Sequence, residues 1–238
     1  MVPARPSRLR PTGSFSSKLV LALVTAFLIA LAIYYYGTTR GGSVQSEQLA
    51  EEQTRIDLLT PTPTDHVLGN RNASIFLVVY SDTECKFCKR FHTALEGIVA
   101  DYKSVAMVYR NFPLGIFKRS YFEFQATECA FEQGGDEAFF KYLHTLYEVT
   151  PSDDGLDPAE LPRIAGEVGL NQTSFIECLE ANRNREKIDV HVSTGNLLDA
   201  RPVPHVFMLI PASGRIYEFA GSRHEAAIRS VIESELSR

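Results

Sequence analysis

The order of apolar and polar positions divides the chain into an unbroken apolar run, a mixed stretch and a region of alternating strand and helix periods. Leu19 to Tyr36 (LVLALVTAFLIALAIYYY) is 18 residues without a charge. As a helix it is about 27 Å long, close to the thickness of a bilayer's hydrocarbon core. Neither face of it is polar, which argues against a core helix of a soluble protein. Residues 37–64 hold Gly37, Gly41, Gly42, Pro61 and Pro63 and no sustained apolar period. They predict a linker, with at most a short helix from Ser46 to Leu59.

From His66 the pattern changes. Ala73 to Tyr80 (ASIFLVVY) is a short β-branched run bounded by polar residues, which predicts a buried strand. Cys85 to Tyr102 places Phe87, Phe91, Leu95, Ile98 and Val99 at helical spacing, and Val105 to Phe112 predicts a second strand. That is a βαβ unit, hence a parallel pair with a right-handed crossover. Helices follow over Tyr121–Gln133, ending at Gly134-Gly135, and over Glu137–Val149. Another starts at Asp157-Pro158, where Glu160 completes a capping-box arrangement. A further helix from Asn171 or Thr173 through Cys178, and one over about Arg185–Leu198, complete the block. Val206–Ile210 and Arg215–Phe219 predict a β-hairpin turned at Ala212-Ser213-Gly214, and His224–Leu236 a closing helix. The expected fold is α/β: a small sheet domain over 65–238, interrupted by a helical insertion at about 115–198.

Charge fixes the expected orientation. Arg5, Arg8, Arg10 and Lys18 precede the apolar run, and only Arg40 and Arg55 follow nearby. This bias predicts a cytoplasmic N-terminus over 1–18, a transmembrane signal anchor over 19–36 and an extracytoplasmic domain, in the periplasm or at the cell exterior. Tyr34, Tyr35 and Tyr36 suit the far interface. Ala30-Leu31-Ala32 offers the alternative of a cleaved signal peptide, but Ile33 and the tyrosines continue the run, which favours the anchor. Either way the domain lies outside the cytoplasm. Six of the 24 Lys and Arg and four of the 29 Asp and Glu lie in residues 1–64, so the remainder carries a net −7. So acidic a domain repels phosphate backbones, and nucleic acid is not an expected partner.

The chemistry lies with the cysteines. Cys85 and Cys88 flank Lys86-Phe87 between a predicted strand and a predicted helix, while Cys129 and Cys178 stand alone. A helix N-terminus presents unpaired N–H groups and the positive end of its dipole, which stabilise a thiolate. Cys85 is therefore the expected nucleophile, with Lys86 adding positive charge and Cys88, one turn inward, the resolving thiol. A zinc site needs two more ligands, and the nearest candidates, His92 and Cys129, form no second ligand pair. A purely structural disulfide across two residues closes too small a loop to stabilise much. No metal and no separate cofactor is expected beyond the redox-active pair. His92 reads as a surface or packing residue. Asn72-Ala73-Ser74 and Asn171-Gln172-Thr173 are glycosylation triplets too short to weigh.

Thr64-Asp65-His66-Val67-Leu68-Gly69-Asn70, with Ser81-Asp82-Thr83-Glu84-Cys85-Lys86-Phe87-Cys88-Lys89-Arg90-Phe91-His92, resembles the DsbA-like thioredoxin family of bacteria, most of all its membrane-anchored branch with a helical insertion. The resemblance implies a thioredoxin-like fold with an inserted α-helical domain, preceded here by the transmembrane helix. It implies dithiol–disulfide exchange in reduced or unfolded secreted proteins, with a membrane redox partner that reoxidises the enzyme. It also implies a cis-proline facing the redox pair. The matching position is Pro204, preceded by Val203, with Pro202 a rival and an ordinary turn proline an alternative. Many relatives have Gly-Thr-Pro where this chain has Pro202-Val203-Pro204, so the substrate groove, to which Lys86, Phe87 and Val203 contribute, should differ in shape. His205 follows the proline and is expected near the site. For Cys129 and Cys178 the resemblance suggests a second disulfide, although two buried thiols fit the residues themselves nearly as well. Two other readings remain: a reductase or isomerase running the same exchange in reverse, and a thioredoxin-like assembly module whose cysteines are not catalytic.

Overall fold

The computed structural model describes residues 17–238, without the side chains of 37–44. Arg5, Arg8 and Arg10, and with them most of the cytoplasmic segment expected over 1–18, lie outside the described residues. The chain divides into two units, Met1–Gln53 and Thr54–Arg238. Helix α1 covers Ser17–Leu59. Its stretch Ser17–Tyr36 has a mean hydropathy of 2.3 and exposed side chains, and is long and apolar enough to cross a membrane.

The linker expected over 37–64 is corrected, because helix continues through it to Leu59. Each glycine costs a helix about 1 kcal/mol. The strong helix formers Glu47, Gln48, Leu49, Ala50, Glu51, Glu52 and Gln53 follow them directly. The domain also begins earlier than residue 65. Leu59 is fully buried in its core, and Ile56 and Leu58 pack against it. Pro61 then ends the helix, since the residue before a proline is steered away from helical backbone.

A five-stranded sheet in the order β1-β3-β2-β4-β5 forms the centre of the second unit. Its strands are β1 (His66–Leu68), β2 (Ile75–Ser81), β3 (Val105–Asn111), β4 (His205–Ile210) and β5 (Arg215–Ala220). β2 and β3 run parallel, with Ile75 opposite Val105, and α2 (Lys86–Asp101) is their crossover. β4 and β5 form the expected hairpin, antiparallel to β2. The three-residue β1, antiparallel to β3, is too short to leave a period in the sequence. Every residue of β2 and β3 is buried, as expected for strands covered on both faces.

Alternation along the strands decides what each helix covers. Ser81 and Tyr109 point to the face of α2 and of α7 (Glu225–Leu236), which Arg229 ties to Asp101. Tyr80 and Arg110 point to the other face, under α6 (Arg185–Leu197). There Gly195 lies so close that a Cβ would meet Phe112 at 2.5 Å and Tyr80 at 2.9 Å. Arg110 donates from Nε and Nη2 to the Asp65 carboxylate at 2.9 and 3.1 Å, and from Nη1 to the Leu58 carbonyl at 2.6 Å. The end of α1 is thereby fastened to the sheet.

The helices between β3 and β4 begin with α3 and end with α6. α3 spans Ser120–Val149 with non-helical backbone at Gly134 and Gly135, the positive φ of Gly135 being a conformation glycine adopts freely. A 3₁₀ turn at Pro158–Glu160, α4 (Leu161–Glu167) and α5 (Gln172–Ala181) follow. The capping box is half formed. Asp157 accepts from the Ala159 N–H, but Glu160 pairs with Arg163. Ala126, Tyr142, Leu146, Ile164 and Phe175 build a second, smaller core, and the disulfide Cys129–Cys178 lies in it.

Candidate active site

β2 ends at Ser81, and the loop Asp82-Thr83-Glu84 delivers Cys85 to the N-cap of α2, with φ −85° and ψ 111°. Both thiols are free, with Cys85 6% and Cys88 1% exposed. The Cys88 S–H donates to Cys85, and the Cys88 and Phe87 amides add two more hydrogen bonds. Against burial and the Asp82 charge, these bring the Cys85 pKa down to about 7. Cys88 goes the other way: burial, and its role as donor to Cys85, push its pKa well above the ordinary thiol value. One sulfur is thus poised as a thiolate and the other held as a thiol.

The remaining candidates separate into those at the site and those away from it. Lys86 is exposed and its ammonium lies 4.0 Å from Asp153, so its charge is partly offset there. Phe87 leaves the helix's apolar face and stands 47% exposed, with Arg90 over its ring. Together with Cys85, Leu114, Ile116, Phe117, Pro202 and Val203 it lines a cavity of about 540 Å³. The Arg201–Pro202 and Val203–Pro204 peptide bonds are both cis. Pro204 lies buried behind Val203, and its carbonyl accepts from the Gly221 N–H at 2.8 Å. His205 is turned away from the cavity, stacked on Phe207 and bonded to Glu218 at 2.9 Å. His92 is buried beside Tyr147. Cys129 and Cys178 are joined in the insertion's own core.

Two acids of the loop and one in the first turn of α3 are given no role by the sequence reading. Asp82, Glu84 and Glu123 are all buried. Asp82 accepts from the Ser120 hydroxyl at 2.6 Å, the Leu114 N–H at 2.8 Å and the Glu84 N–H at 3.0 Å. It therefore links the cysteine loop to the cavity wall and to the start of α3. Burial raises its pKa above the usual carboxylate value. Glu84 accepts from the Asp154 N–H at 2.8 Å. Burial and the facing Glu84 carboxyl push Glu123 up to about 9, which keeps it protonated at neutral pH. The only signal in the sequence was Asp82 and Glu84 beside a cysteine, and short loop acids are normally exposed.

Residues 61–229 match the family model described as thioredoxin. The Na(+)/H(+) antiporter NhaA 3 of Salinispora tropica is 33% identical over 156 residues, which cover 64% of this chain and 23% of the antiporter. The chain thus spans about a quarter of the length of that curated relative. Among solved structures, Pseudomonas aeruginosa DsbA2 superposes with a TM-score of 0.64 at 23% identity, over 73% of this chain and 95% of the other. The catalytic domain of Proteus mirabilis ScsC superposes with a TM-score of 0.65 at 18% identity, over 79% and 98%.

Proposed function

We propose, from the premise that the chain belongs to the thioredoxin family and has a DsbA-like fold, that it is a membrane-anchored thiol–disulfide oxidoreductase forming disulfides in reduced proteins outside the cytoplasm. The observation that carries this reading is the split between the two sulfurs at the start of α2: Cys85 depressed to about 7, Cys88 buried and raised. A substrate thiolate attacks the Cys85 sulfur of the oxidised pair. A new S–S bond forms, the Cys85–Cys88 bond breaks, and Cys88 leaves with the electron pair. A second substrate thiolate then attacks the substrate sulfur, releasing the substrate disulfide and Cys85 as thiolate. The enzyme finishes as the dithiol, so a membrane partner that accepts two electrons must reoxidise it. Phe87, Leu114, Ile116, Phe117 and Val203 offer an apolar groove to an extended, unfolded segment. The apolar stretch of α1 serves as the anchor.

One observation favours the reverse direction. A nucleophile near pH 7 lies closer to thioredoxin, at about 7, than to DsbA, at about 3.5. A less stabilised thiolate makes a weaker oxidant. The deciding experiment is the reduction potential of the pair in glutathione buffers. A value between roughly −120 and −200 mV supports the oxidase, and one at about −270 mV or below replaces it with a reductase. Whichever direction holds, Cys88→Ala should accumulate mixed disulfides on Cys85 in non-reducing gels of whole cells. Their complete absence would leave only the non-catalytic module.

A further inference from the structure

The bend that follows α3 is built in an unusual way. Ser152, Asp153 and Asp154 come one after another with φ of 66°, 56° and 62°, left-handed backbone that a side chain crowds and glycine adopts freely. The Gly155 N–H donates to the Ser152 carbonyl at 3.0 Å and closes the turn, and a Cβ on Gly155 would come within 2.8 Å of Pro151. Strained backbone of this kind persists only where its surroundings hold it. Here the surroundings include the cysteine loop.

The Asp153 N–H donates to the Glu84 carbonyl at 2.9 Å, and the Asp154 N–H to the Glu84 carboxyl at 2.8 Å. Two successive amides of the turn thus go to one residue, the one before Cys85. On the other side of the pair, Lys89 donates from Nζ to the Thr150 carbonyl at 2.8 Å and the Glu148 carbonyl at 3.2 Å, at the negative end of α3. The turn's side chains are engaged as well. The Asp154 carboxylate accepts from the Arg119 N–H at 2.9 Å, and that of Asp153 lies 4.0 Å from the Lys86 ammonium. Glycines could take the same backbone but could make neither contact.

The Glu84–Cys85 peptide is held from both sides, since the Cys85 N–H donates to the Asp82 carbonyl at 3.1 Å. That peptide decides where Cys85 stands: at the N-cap of α2, facing the unpaired first amides and the positive end of the helix dipole. We infer that the Ser152–Asp154 turn is a clamp that positions the cysteine pair, gripping Glu84 before Cys85 and Lys89 after Cys88. Glu84, Lys89, Asp153 and Asp154 are positioning residues, acting through the backbone of the loop. The inference rests on the oxidoreductase reading and gives the helical insertion a part in it.

The test is the pH midpoint of the Cys85 thiolate absorbance, on the full reduced chain in detergent, in two pairs of variants. Asp153→Gly keeps the N–H and the left-handed backbone; Asp153→Pro has no N–H and a φ fixed near −65°. Both lose the same carboxylate, and Asp82, Glu84 and Glu123 stay as they are, so only the backbone separates them. Asp153→Pro should move the midpoint up by about one pH unit from about 7, toward the free-thiol value of about 8.5, and make the reduction potential more negative. Asp153→Gly should stay at the parent's midpoint or below it. In the second pair, Glu84→Gln keeps an acceptor for the Asp154 N–H and Glu84→Ala does not. Losing a carboxyl charge alone would lower both midpoints, whereas the clamp predicts that Glu84→Ala rises above Glu84→Gln. Equal midpoints within either pair overturn the inference; if Asp153→Pro does not fold, the Glu84 pair decides alone. A parent protein whose pair does not exchange with glutathione sinks the oxidoreductase reading itself, and this inference with it.

Discussion

A single proton separates the two cysteines, and its position is set by what each sulfur touches. Cys85 collects donors from Cys88 and the first amides of α2, while Cys88 is enclosed. Iodoacetamide alkylation of the reduced protein should therefore rise with pH through a midpoint near 7, against about 8.5 for a free thiol. A midpoint above 8 would remove the basis for Cys85 as nucleophile. The sequence predicts a helix starting at this pair, and the structure has Cys85 at the N-cap of α2 with Cys88 one turn inside, because a helix start is a local feature. It gave Lys86 too much weight, because nothing local reveals that Asp153, 67 positions on, shares its charge. Phe87 has helical spacing with the core positions of α2 but is assigned by the resemblance to the substrate groove, and the structure has it exposed and lining the cavity beside Cys85.

Elements are joined by contacts that can be titrated or cut. Burial pushes the Asp65 carboxyl up, but the hydrogen bonds and charge of Arg110 outweigh it and hold the pKa at about 2, against 3.8. Glu128 is likewise held at about 2, below its ordinary 4.5, by His66 and Lys187. Both are depressed, so their stabilisation is full above about 4.5 and is lost as pH falls toward 2. The unfolding temperature should fall across that window. Asp65→Asn strands Arg110 between β3 and the end of α1, and should cost about 3–5 kcal/mol at neutral pH; thermal or urea unfolding measures both. The disulfide joins α3 to α5 with 49 positions between its cysteines. Replacing both by Ala should cost about 2–4 kcal/mol and leave the Cys85 midpoint where it was. A shifted midpoint would show that the insertion's core feeds into the redox loop.

On the scale of the whole molecule, the chain combines a 20-residue apolar helical stretch with a thioredoxin-fold domain. If the anchor reading is right, the protein should resist alkaline carbonate extraction and require detergent for release. A membrane-impermeant maleimide should label Cys85 in intact cells without permeabilisation, and labelling only after lysis would reverse the proposed topology.

The sequence by itself determined what periodicity and neighbouring residues determine: the apolar stretch, the βαβ unit, the hairpin, the breaks at Gly134-Gly135 and the cysteine pair at the start of α2. Tertiary structure alone decided β1, the burial of Asp82, Glu84 and Glu123, the pairing of Cys129 with Cys178, and the meeting of Ser81, Tyr109 and Tyr147. It also decided that α1 runs on to Leu59 and seats it in the core. The reason is physical. A helix or strand repeats over a few residues and writes its period into the chain. Whether a carboxyl meets water or another carboxyl depends on residues tens of positions away, which only packing brings together.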